Sequence, residues 1–86
     1  MGQVVTVTLH EGGPRLLGFL TRESLNDLPE GLGGEGTVAV YLPMSYQIGG
    51  YTLILPRSAV TPVEMGIEDA MRFAVTAGVK AKTGTG

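Results

Sequence analysis

Hydrophobic and polar positions alternate over residues 4–9, with Val5, Val7 and Leu9 on one side and Val4, Thr6 and Thr8 on the other. A period of two carried by β-branched residues predicts a strand. Residues 10–14 (His-Glu-Gly-Gly-Pro) are turn chemistry, since glycine accepts positive φ and Pro14 has no N–H to give to a ladder. Residues 15–21 resume an extended pattern in which Leu17 and Phe19 oppose Leu16 and Leu20. The two runs predict a hairpin. Gly18, in the middle of the second, marks either a bulge or a close backbone approach.

Between residues 22 and 36 the periodicity fails. Asn26, Asp27 and Pro29 precede Gly31, Gly33, Gly34 and Gly36, so this stretch reads as a surface loop, flexible over residues 31–36. Two near-continuous apolar runs follow, residues 37–42 stopped by Pro43 and residues 50–55 stopped by Pro56. Runs of that kind are expected of central strands covered on both faces. Residues 59–64 add a short strand, which Pro62 permits only at a sheet edge. Ile67, Ala70, Met71, Ala74 and Val75 then recur at helical spacing and make one apolar stripe. Gly66 precedes the stripe as N-cap, and Glu68 and Asp69 put negative charge in the first turn, where the helix dipole favours it. Gly78 stands where a left-handed C-terminal cap belongs, and residues 80–86 read as a disordered polar tail.

These elements sum to an α+β fold, mostly β. Four to five short strands form a compact sheet, barrel-like or open, covered by one C-terminal helix. The 86 residues leave room for one soluble domain, predicted over residues 1–79, and 43% hydrophobic content is enough to build its core. The first strand starts almost at Met1, which reads as a piece of something longer. No run approaches the ~18 apolar residues that cross a bilayer.

Composition narrows function more than fold. Six Lys and Arg against eight Asp and Glu give a formal charge of −2, without the basic excess that phosphate neutralisation needs. Nucleic acid is therefore not an expected partner. The absence of cysteine excludes disulfides, thiolate zinc sites and thiol catalysis together, and one histidine leaves little for metal ligation or general-base work. No cofactor is expected.

Three constellations nevertheless have the letters of chemistry. Gly31, Gly33 and Gly36 spell G-x-G-x-x-G, but a phosphate cradle needs those glycines between a strand and a helix, and here they precede a strand with Glu35 among them. A flexible connector is the expected role. His10, Ser45 and Asp27 could be assembled into a nucleophilic triad, yet Ser45 lacks the strand-to-helix elbow that exposes such a serine. Glu64, Glu68 and Asp69 are acidic enough for a divalent ion, but helix-start electrostatics account for them. No catalytic or metal-binding residue is assigned.

The segment 43–50 (Pro-Met-Ser-Tyr-Gln-Ile-Gly-Gly) is the anomaly. A connection between strands should be polar, and this one carries Met44, Tyr46 and Ile48. Such side chains must be covered, either by the domain itself or by a partner, because large exposed apolar patches are rare on monomers. Met44, Tyr46 and Ile48 are the candidate interaction loop. Arg57, just after Pro56, is a candidate anchor for a carboxylate or phosphate.

Val38-Ala39-Val40-Tyr41-Leu42-Pro43, Gly50-Tyr51-Thr52-Leu53-Ile54-Leu55-Pro56-Arg57 and Met65-Gly66-Ile67-Glu68-Asp69-Ala70-Met71, ending in Thr76-Ala77-Gly78-Val79, form an ordered set. With Arg15-Leu16-Leu17-Gly18-Phe19-Leu20-Thr21, the set resembles the soluble part of the domain-of-unknown-function 502 family, over about residues 3–79. Those are membrane proteins related to the plant CONTINUOUS VASCULAR RING and LIKE-COV proteins. Many members carry a Thr- and Pro-rich loop where this chain has the shorter, apolar residues 43–49, and a Ser where this helix starts with Gly66. The resemblance implies a soluble domain tethered to a membrane by helices absent from this chain, on the cytoplasmic face.

The expected function is then non-catalytic: self-association, or docking of a protein partner, with the membrane engaged through the missing segments. A net charge of −2 gives the domain no attraction of its own to an anionic leaflet. The alternative is a small ligand- or peptide-binding β module using a sheet edge or the mouth formed by residues 22–36, with a hydrolase as a more distant third.

Overall fold

The N-terminal alternation becomes β1 (Val4–Thr8), which a turn returns into β2 (Arg15–Arg22) with Val4 opposite Phe19 and Thr8 opposite Arg15. The turn is closed by the Gly13 N–H donating to the His10 carbonyl at 3.0 Å, with Gly12 at φ 81°, a value that glycine adopts without strain. β3 (Thr37–Ser45) pairs with β2, and β4 (Gly49–Pro56) pairs with β3 along its length. A single 3₁₀ turn (Arg57–Ala59) leads to β5 (Val60–Pro62), which pairs with β1, and α1 (Ile67–Thr76) follows. The structure, a computed structural model, describes residues 2–45 and 49–76. Its one sheet is antiparallel throughout, in the order β4-β3-β2-β1-β5.

The two faces of the sheet are buried differently. On one, Val4, Phe19 and Ala70 are fully buried together, with Leu17, Tyr41, Val63 and Met71 packed around them. This is where α1 lies, against β3 in particular. The Ala70 N–H bonds the Gly66 carbonyl at 3.0 Å, so Gly66 is indeed the N-cap. Ala70, Met71 and Ala74 of the apolar stripe turn inward, whereas Ile67 and Val75 at its margins stay about 40% exposed.

Among the described residues no helix lies against the other face, yet Val5, Val7, Val38 and Val40 on it are at most 1% exposed. The chain connectivity explains this. Outer strands of a flat five-stranded sheet stand roughly 19 Å apart, four spacings of about 4.8 Å. Only Arg57–Ala59 join β4 to β5, and a chain of that length reaches at most about 14 Å. The sheet must therefore coil until its two edges approach, and the face inside the coil buries itself. Leu55 of β4 accordingly joins Val5 and Val7 of β1 in one cluster, flanked by Ala59 and Val60. Gly18 belongs to this face, where a Cβ would come within 2.8 Å of both Val40 and Leu42, so close packing is what requires glycine there. The irregularity in β2 falls later, between Leu20 and Arg22, where Thr21 donates its hydroxyl to the Ala39 carbonyl at 3.3 Å.

Of the two sheet forms expected, the open one is present: β4 and β5 are not hydrogen-bonded to each other, so no barrel closes. Two expectations need correction. β4 is an edge strand rather than a central one: Tyr51 is 63% and Ile54 41% exposed. Pro43 does not end β3, which runs on to Ser45. Beyond Tyr41 that strand pairs with β4 alone, and a proline is tolerated where only one side of a strand is paired. Pro62 sits at the β5 edge, as its missing N–H demands. Gly78 and residues 80–86 lie outside the described residues.

Candidate functional site

The free margin of β4 is the feature that most needs explanation. Between Gly36 and Pro56 the chain carries no charged residue, so neither β4 nor the end of β3 beside it has one. Natural sheets protect their edges with lysines, prolines, bulges or shortness, since an unpaired row of N–H and C=O groups is a template for another strand. The β5 edge follows that rule, being 3 residues long and ending in Pro62. β4 is 8 residues long, apolar, and among the described residues nothing pairs with its outer side.

Its hydrogen-bonding register can be read from one contact. The Arg57 N–H donates to the Gly36 carbonyl at 2.9 Å, one step beyond the Thr37–Pro56 pair. Hydrogen-bonded and non-bonded pairs alternate in an antiparallel ladder. Leu55, Leu53 and Tyr51 therefore bond to β3, while Ile54, Thr52 and Gly50 turn their backbone groups outward. Pro56 falls in the outward set, where its missing N–H costs β3 nothing.

The candidate interaction loop is only partly described. Met44 is 52% exposed at the end of β3. It is also the extra residue of a bulge, because Pro43 faces Gly50 and Ser45 faces Gly49 with nothing opposite Met44. Gly49, at φ 95°, begins the return strand. Tyr46 and Ile48 lie outside the described residues. Arg57 does not join Met44: they stand at opposite ends of the β3–β4 ladder, roughly 20 Å apart along the strand.

Arg57 instead borders a cleft of about 240 Å³ at the opening of the coil, with Gln3, Val5, Leu20, Val38, Val60 and Pro62. Its guanidinium donates to the Glu23 carbonyl. The Gln3 amide donates to the carbonyls of Val4 (3.0 Å) and Val63 (2.9 Å), tying β1 to the segment after β5. The cleft is thus apolar inside, with one cation at its rim.

The other constellations do not assemble. His10 is in the β1–β2 turn and Ser45 ends β3, while Asp27 lies in the loop that leaves β2 at the far end. Asp27 is held by Arg22 at 2.5 Å, and that hydrogen bond keeps its carboxyl below the usual value of 3.8. Asp69 pairs with Arg72 on its own helix at 3.3 Å, and among the described residues no three metal-ligating side chains converge. Gly31 and Gly36 have φ of 97° and 80°, and Gly33 is pressed against Leu25, Thr37 and Ile54. Those glycines serve turns and close packing, and a strand follows them. Leu25, 4% exposed inside that loop, is a core residue that the sequence reading passed over. Leu25 shares that stretch with Leu28 and Leu32, and nothing in the local pattern says which of the three is buried.

A family model described as Protein of unknown function (DUF502) matches residues 1–50. The match takes in β1, β2, the intervening loop, β3 and the start of β4. No curated protein and no solved structure matches the chain.

Proposed function

The chain belongs to the DUF502 family of proteins of unknown function, and from that premise we propose that it is a non-catalytic docking domain that works through the open edge of β4. The observation that carries this reading is the contrast between the two margins of one sheet: β5 is short and ends in proline, whereas β4 is long, uncharged and exposed. A strand added there gains main-chain hydrogen bonds from Gly50, Thr52 and Ile54 and covers Tyr51 and Ile54. Met44, exposed at the bulged end of β3, adds an apolar side chain beside the start of β4. A membrane tether with the domain on the cytoplasmic side belongs to the same proposal and is supported only by the family resemblance. No helix among the described residues is long and apolar enough to cross a membrane.

Hydrogen exchange of the natural gene product in its own membranes, set against the purified domain at low concentration, tests the reading. The Gly50, Thr52 and Ile54 amides should exchange slowly in the membranes and quickly in the dilute domain. Fast exchange in both would remove β4 as a docking edge. A second reading, a binding module for a small anionic ligand, is favoured only by the apolar cleft with Arg57 at its rim. Chemical-shift changes confined to Val5, Leu20, Val38 and Val60 during a screen of short carboxylic acids would support it.

A further inference from the structure

We propose that the strand accepted by β4 is β4 of a second copy of this chain, antiparallel and centred on Thr52, an inference that rests on the docking role of this edge. The argument begins with parity. Residues opposite one another across an antiparallel pair lie on the same sheet face, so a symmetric pairing sets even residues opposite even ones. The outward groups of β4 belong to Gly50, Thr52 and Ile54. A twofold axis at Thr52 places Thr52 opposite itself and Gly50 opposite Ile54 of the other copy, and every outward donor then finds an acceptor. The neighbouring register, centred on Leu53, sets Gly50 opposite Pro56, which has no N–H to return.

The side chains agree with that register. Tyr51, the most exposed large hydrophobic of the strand at 63%, comes to lie opposite Leu53 of the other copy, an aromatic–aliphatic pair of the kind that stabilises sheets. A strand meeting its own copy sets any charge it carries close to the same charge, and β4 carries none. The outer edge of β5, short and ended by Pro62, offers no second template, so the pairing closes as an isologous dimer and does not grow into a filament.

Position 52 facing itself gives a test with an internal control. Sedimentation equilibrium of the parent, from about 10 µM to 1 mM, should show a monomer–dimer equilibrium. Thr52→Lys and Thr52→Glu should each weaken the dimer about tenfold or more by opposing like charges, and an equimolar mixture should recover association as a Lys–Glu heterodimer. Amide spectra of both variants, matching the parent away from β4, establish that they are folded. A parent that stays monomeric at 1 mM overturns the proposal, as do variants that dimerise like the parent. Failure of rescue in the mixture overturns the register. A monomeric domain whose β4 amides are nonetheless protected in native membranes would retain the docking edge and dismiss the second copy as its occupant.

Discussion

Val40→Ala tests whether the sheet coils as the β4–β5 connection requires. Val40 is fully buried on the face without a helix, in the cluster of Val5, Val7, Val38 and Leu55. The substitution removes two methyl groups, worth roughly 0.8 kcal/mol each in transfer, or about 1.6 kcal/mol. The coiled sheet is held by its connection and cannot collapse fully onto the void, so a cavity term of roughly 1 kcal/mol is added, at about 24 cal/mol per Å³. The expected loss is about 2–3 kcal/mol, from a total near 4–13 kcal/mol for a chain of this length. Urea unfolding followed by circular dichroism reads it. With m near 1 kcal/mol/M the midpoint should fall by roughly 2–3 M. Leu9→Ala, at a position 61% exposed, is the control and should stay within about 0.5 kcal/mol. If Val40→Ala costs less than about 0.5 kcal/mol with m unchanged, this face is open to water and the coiled sheet is wrong.

Two further outcomes follow from the loop between β2 and β3. Leu25→Ala should cost about 2 kcal/mol or more, because Leu25 is the buried anchor under Gly33; a loss no larger than that of Leu32→Ala, at a position 43% exposed, would refute the anchoring. Asp27 has its folded pKa depressed, first by the Arg22 hydrogen bond, so its contribution to stability is present above pH 3.8 and is lost as pH falls through the lower folded value. A carboxyl-carbon NMR titration should show the Asp27 midpoint moving up toward 3.8 in Arg22→Ala, and identical midpoints in the two proteins would contradict the pairing.

How far the site was legible follows from what each signal encodes. Met44 stood out because an apolar residue in a connection breaks the expected polarity, but the residue belongs to the end of β3, where it is 52% exposed, and not to a connection. Arg57 was grouped with it only by closeness in the chain. The length of β4 carries them to opposite ends of the ladder, and that is a fact of pairing rather than of composition. The place of β4 at the sheet margin was misread for the same reason. An uncharged apolar run looks alike whether one strand lies beside it or two.

The sequence by itself determined the strands, the hairpin, the helix with its Gly66 cap, and the mostly-β class, because periodicity and turn chemistry are local properties that each segment carries alone. Strand order was decided by tertiary structure: β5 reaches around to β1, β4 is left at the margin, and the sheet coils to bury Val5, Val7, Val38 and Val40 with no covering layer among the described residues. Those outcomes depend on a three-residue link spanning the two edges, a constraint that exists only once all five strands are paired. Which side of β4 stays free was likewise settled by its neighbours, since alternation fixes the face of a side chain but not the partner of a backbone.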